Sequence, residues 1–181
     1  MKKTILLLIL AVVINSCSVE VLVDGCTDFD AENYNSNADN DDGSCWYTCT
    51  DPYAVNYNLV LNSYYCEYEA DVVLYLDVAG AQSLTNSGVP FLDVYIGNEK
   101  IGSMPADVGF SDVVLCDDLN PEPVHFTYQW ENALSTTLSW SVRDLNGTEW
   151  YSDNDLVIAN NCLSLLLSNK KLQEYKEATK Y

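Results

Sequence analysis

The sequence predicts a mainly β protein, an antiparallel β-sandwich preceded by small disulfide-stapled loop repeats. Three observations lead there. From Ala70 onward, short β-branched and aromatic runs, several alternating apolar with polar, are separated by turn residues. No amphipathic helical pattern intervenes before the end of that stretch. Between Gly25 and Glu69 the chain is rich in Asn, Asp and Cys and repeats itself, which suits small covalently closed loops. The 181 residues have room for such loops and one sandwich-sized domain.

The amino terminus reads as an address. Met1-Lys2-Lys3 is a basic start, and the apolar run from Thr4 to Ile14 is too short to span about 30 Å of hydrocarbon, so residues 1–16 are expected to be an export signal. The run ends in Ile14-Asn15-Ser16-Cys17, which resembles a bacterial lipobox, with Asn15 a departure from it. That resemblance implies diacylglycerol on Cys17, residues 17–24 as a tether, and attachment to the membrane through the N-terminal lipid. Ser18 is compatible with sorting to the outer membrane of the cell envelope. An ordinary cleaved leader is the alternative. Cysteine parity favours the lipoprotein, because setting Cys17 aside leaves six of the seven cysteines, an even set for an oxidising compartment.

Charge narrows the partners. The chain has 27 acidic and 8 basic residues, a formal −19; without Lys2 and Lys3 the balance is −21. No nucleic acid partner is expected, since phosphate binding needs a basic face, and electrostatic docking on an anionic bilayer is equally disfavoured.

From Gly25 the chain runs Gly25-Cys26-Thr27-Asp28, Ala31, Asn33-Tyr34-Asn35 and Asp41-Asp42-Gly43-Ser44-Cys45. Cys49-Thr50-Asp51, Ala54 and Asn56-Tyr57-Asn58 repeat it at a period of 23 residues, and Cys66 closes a second copy that is shorter, its cysteine interval 17 against 19. This gives a first repeat at 25–47 and a degenerate second at 48–69. The flanking cysteines of each copy close their own loop most economically, Cys26 with Cys45 and Cys49 with Cys66, although six cysteines allow 15 pairings. Both copies resemble a cysteine-rich repeat of exported Bacteroidetes proteins, with Gly-Cys-Thr-Asp, Ala-x-Asn-Tyr-Asn and Asp-Asp-Gly-Ser-Cys as its marks; the likeness covers about a quarter of the chain. Such repeats serve as stalks or spacers and are suspected of binding calcium. The residues point the same way: Asn33, Asn35, Asn37, Asp39 and Asp41 alternate along the chain, with Asp28, Asp30 and Asp42 nearby, and calcium takes six to eight hard oxygens. Zinc is disfavoured because His125, the one histidine, is far from the cysteine repeats. An EF-hand fails because Ala38 would stand at its first ligand position. The competing reading is that the Asx residues make Asx-turns in a solvated loop.

In the sandwich, over 70–168, strands are expected at Val72–Val78, Phe91–Ile96, Lys100–Met104, Asp112–Cys116, His125–Trp130, Thr137–Asp144, Thr148–Tyr151, Leu156–Ile158 and Cys162–Leu167. Gly97-Asn98 and Asn146-Gly147 are hairpin signals, the second fitting a type I′ turn. Eight or nine such strands suit an immunoglobulin-like or transthyretin-like sandwich. Cys116 and Cys162 are the remaining pair. His125 shares a solvated strand face with Thr127 and Gln129, opposite Phe126, Tyr128 and Trp130. Residues 169–181 form a lysine-bearing tail with the spacing of a short helix.

No nucleophile elbow, phosphate loop or zinc-protease helix is present in the sequence. The expected function is therefore non-enzymatic: a lipid-anchored envelope protein for adhesion, scaffolding or ligand presentation, with calcium in its first repeat as the one cofactor considered. The alternative is a carbohydrate-binding module, for which Trp150 and Tyr151, beside a turn, are the candidate stacking residues.

Overall fold

The computed structural model describes residues 21–62 and 65–168, which fall into two compact units that divide after Cys45. The expected export signal, Cys17, the start of the expected tether and the tail from Asn169 lie outside the described residues.

In the first unit β1 (Asp24–Gly25) pairs in parallel with β2 (Asn40–Asp41). Too few apolar side chains are present for a core, so the covalent Cys26–Cys45 bridge closes the loop around a buried Cys26 and Ala31.

The second unit begins with the other loop, where β3 (Tyr47–Thr48) pairs antiparallel with β4 (Val60–Leu61) and Cys49 is bridged to Cys66. The two loops repeat each other bond by bond. Asn35 N donates to Cys26 O as Asn58 N does to Cys49 O, both at 2.9 Å. Asp30 N donates to Asp28 Oδ1 as Tyr53 N does to Asp51 Oδ1, again at 2.9 Å. Asn33 Nδ2 reaches Ser44 O, and Asn56 Nδ2 reaches Tyr65 O. The sequence period is thus a structural period, and the residues kept between copies are those that make these bonds.

The body is mainly β. Its strands are β5 (Glu67–Leu76), β6 (Phe91–Ile96), β7 (Glu99–Pro105), β8 (Val124–Glu131), β9 (Ser135–Asp144), β10 (Glu149–Ile158) and β11 (Cys162–Leu167). They form a four-stranded sheet, β10-β9-β6-β7, and a three-stranded sheet, β11-β5-β8. Every pairing is antiparallel except β11 with β5, so the smaller sheet is mixed. Inner-face residues of both sheets share one core: Val72, Leu74, Leu76, Leu165 and Leu167 from the smaller sheet, and Leu92, Val94, Leu138, Trp140, Val142 and Val157 from the larger. Each large aliphatic side chain buried there contributes roughly 1.5–3 kcal/mol. Close to the core edge, a Cβ on Gly102 would stand 2.8 Å from Val124 Cγ1, so glycine lets β7 approach β8.

Five expectations need correction. A helix does intervene, α1 (Val78–Asn86): Asp77 caps it by accepting from Gly80 N, and it buries only Gly80, Ala81 and Leu84. The strand expected over Val72–Val78 accordingly ends at Leu76 and begins earlier, at Glu67. Asp112–Cys116 is not a strand; it is a covering segment whose Val114 lies buried against Val73 and Tyr75 on the outer face of the smaller sheet. Thr148–Tyr151 and Leu156–Ile158 belong to one strand, β10, whose exposed Ser152–Asn154 section keeps its pairing with β9. At Asn146-Gly147 only the glycine has positive φ, 81°; Gly147 N donates to Asp144 O and the ladder shifts register beyond it, a longer turn with a bulge in place of type I′. The Gly97-Asn98 turn likewise has positive φ only at Gly97, as a type II′ hairpin requires.

Candidate functional site

In the first repeat the Asx side chains turn the backbone. Asn35 Oδ1 accepts from Asn37 N, Asp41 Oδ1 from Gly43 N, and Asp42 Oδ1 from Ser44 N. Asp28 Oδ1 accepts from Asp30 N, while Asp39 Oδ2 accepts from Val23 N. Hydrogen bonds from Ser44 hold the Asp42 carboxyl below the usual carboxylate range. Among the described residues no three His, Cys, Asp or Glu side chains are gathered as a metal site. The expected calcium ligands Asp28, Asn33, Asn35, Asn37, Asp39, Asp41 and Asp42 are thus distributed along these turns, where one oxygen of Asp28, Asn35, Asp39, Asp41 and Asp42 accepts a backbone N–H.

The three disulfides use every cysteine except Cys17: Cys26–Cys45, Cys49–Cys66 and Cys116–Cys162. The last is the staple of the covering segment. Ser164 Oγ donates to Val114 O at 2.6 Å, and Cys116 N stands 3.1 Å from Cys162 Sγ, so β11 holds the segment by both side chain and sulfur.

Beside that bridge opens a cleft of about 510 Å³, lined by Glu69, Asp71, Leu115, Asp117, Asn160 and Asn161 among others. Two of its carboxylates are anchored: Asp71 accepts from Thr127 Oγ1 at 2.9 Å and Glu69 from Gln129 Nε2 at 3.0 Å. Asn160, with φ of 60°, bends the chain between β10 and β11 while its Nδ2 donates to Tyr53 O. The cleft is anionic and would attract a cation or a basic group rather than an anion.

The aromatic side chains divide by depth. Tyr151 is 2% exposed, and burial, with the Asp77 charge adding to it, pushes its phenol well above the ordinary range. Its ring is therefore not available to a sugar. Trp150 packs on the core and donates to Asp144 Oδ2 at 3.1 Å; Trp140 is buried and donates to Asp155 Oδ2 at 2.7 Å. The expected Trp150–Tyr151 platform is thus turned inward, because the bulge after Asn146-Gly147 rotates Tyr151 onto the core face. Trp130 stacks between Tyr68 and Tyr128, at 6.2 and 5.9 Å between centroids. Burial first, and then the hydrogen bond to Asp51, raise the Tyr68 phenol.

His125 lies on the outer face of β8, opposite Val73, with Thr127 and Gln129 as the alternation predicts, but it is half-buried where those two are exposed. Its Nε2 is buried without a hydrogen-bond partner among the described residues. The acidic cleft was not legible beforehand, since Glu69 and Asp71 meet Asp117 only through the Cys116–Cys162 bridge; the alternation Glu67-Tyr68-Glu69-Ala70-Asp71 was the available signal.

Fold and site together define a disulfide-bridged, mainly β protein with an acidic surface. Comparison with protein-family models, with curated proteins and with solved structures returns no match.

Proposed function

We propose that this chain is a non-enzymatic, lipid-anchored protein of the bacterial cell envelope, held at the outer membrane through Cys17, whose bridged β body serves adhesion, scaffolding or ligand presentation. The observation that carries this reading is the use of sulfur. Six cysteines close three bridges within the chain, which requires an oxidising compartment, and the seventh follows an apolar leader in a lipobox-like context. The net charge of −19 gives no electrostatic hold on an anionic bilayer, so a covalent lipid is the attachment that fits. The likeness of the repeats to exported Bacteroidetes proteins supports the same compartment. Intact-mass analysis of the native protein tests it: the expected amino terminus is Cys17 carrying acyl chains, and Cys17→Ala is expected to lose that mass and the membrane fraction. A native chain starting elsewhere, or starting at Cys17 without acyl groups, overturns the reading.

A further inference from the structure

The outer face of the larger sheet carries the only two basic side chains among the described residues. Lys100 is paired with Asp93 at 2.8 Å. Arg143 lies over the Tyr95 ring, 4.9 Å from its centroid, and reaches Glu149 at 3.6 Å. Both charges are thus already balanced by carboxylates. Beside Arg143 a shallow cavity of about 360 Å³ opens over β9 and β10, lined by Ser139, Ser141, Arg143, Ser152, Asp153 and Asn154 among others. Ser139 Oγ lies 2.6 Å from Asn154 Oδ1, a bond that fixes the amide and leaves its Nδ2 to donate.

Ser141 is the informative member. It is 8% exposed, and its Oγ is buried with no hydrogen-bond partner. A buried hydroxyl left unpaired is destabilising, and most such groups in folded proteins find a partner. Ser141 lines a cavity whose other polar members are hydroxyls, an amide, a guanidinium and the Asp153 carboxylate. Serine hydroxyls both donate and accept, as sugar hydroxyls do. We propose that this depression binds an uncharged saccharide, with Ser141 Oγ pairing to one sugar hydroxyl and Asn154 Nδ2 and Arg143 donating to others. An anionic ligand is disfavoured because Glu149 already neutralises Arg143 and the chain is strongly negative. The proposal rests on the ligand-presenting reading and is independent of the lipid anchor.

The test is a backbone-amide NMR titration of the full-length protein in a detergent without a sugar headgroup. The probes are methyl glycosides of glucose, galactose, mannose and N-acetylglucosamine, with glucuronic acid as the charged arm. Saturable shifts are expected at 139–143 and 152–154 with at least one neutral glycoside at millimolar concentration. Ser141→Ala is expected to weaken that binding about ten-fold, the equivalent of one lost hydrogen bond, while the free variant melts at the same temperature or higher. The proposal is overturned by silence toward every neutral sugar at tens of millimolar, by response to glucuronic acid alone, by shifts mapping elsewhere, or by a lower melting temperature for the free Ser141→Ala protein, which would reveal a partner within the fold.

Discussion

Replacing both Cys116 and Cys162 by alanine opens a closure of 46 residues. On the chain-entropy relation that closure removes about 13 cal/mol/K from the unfolded ensemble, so its loss is expected to cost about 4 kcal/mol at 25 °C. For a body of this size the same change lowers the melting temperature by roughly 8–16 °C. A local effect accompanies the global one. The bridge holds the segment that places Val114 over Val73 and Tyr75, so releasing it should expose those side chains and make the 106–123 connection the first site of proteolysis. Urea unfolding followed by tryptophan fluorescence measures the first quantity, and the expanded unfolded state should also raise the m-value. A companion Val114→Ala variant, with the bridge intact, isolates the packing contribution at about 2 kcal/mol. A double-alanine protein that loses less than about 1 kcal/mol, with an unchanged m-value and no new cleavage, would refute the assignment of the bridge as the staple of this face.

Two further outcomes follow from the turns. Asp144 accepts from Asn146 N, Thr148 N and Trp150 Nε1, and although partial burial raises its pKa, these bonds outweigh it and hold the carboxyl below the usual range. Its contribution is therefore present above the unfolded value of about 3.9 and disappears as pH falls through the lower folded value. Asp144→Ala should lose about 1–2 kcal/mol at neutral pH and show a flatter acid-side decline in urea midpoint than the parent; equal slopes would contradict this. In the first repeat, backbone N–H groups already occupy one oxygen of Asp28, Asp39, Asp41 and Asp42, and Cys26–Cys45 closes the loop. A carboxylate carries a second oxygen, so calorimetry with calcium and with chelator tests the calcium expectation: heat and a raised melting temperature support it, and silence in both overturns it.

The legible parts of the fold were those fixed by local chemistry. The 23-residue period announced two loops because Cys, Asx and Ala at those positions make the same bonds in each copy. Phe91–Ile96 and Cys162–Leu167 read directly as strands because each is a run of β-formers with clear boundaries. What escaped depended on distant partners. The helix after Asp77 has a legible cap, but Gly80 interrupts it and its apolar stripe is narrow, so helical periodicity is faint. Val113, Val114 and Leu115 carry strand propensity, yet only Val114 is buried, because the sheet beneath offers a face to cover and no ladder to join. In β10 the polar Ser152–Asn154 stretch hides a continuous strand, since an edge strand tolerates polar residues that a central one does not. For the sites, Ser139, Ser141 and Arg143 alternate visibly with Leu138, Trp140 and Val142, but that the Ser141 hydroxyl lacks a partner is a property of three dimensions alone.

The pairing of β11 with β5 joins residues 71–76 to 162–167, about ninety positions apart along the chain. The three-stranded layer therefore stays incomplete until β11 has emerged, and Cys116 finds its sulfur partner only then. Such a long-range closure slows folding. Under the export proposed above, such a delay is useful: the body remains an open strand during passage and locks once its far end arrives where oxidants act.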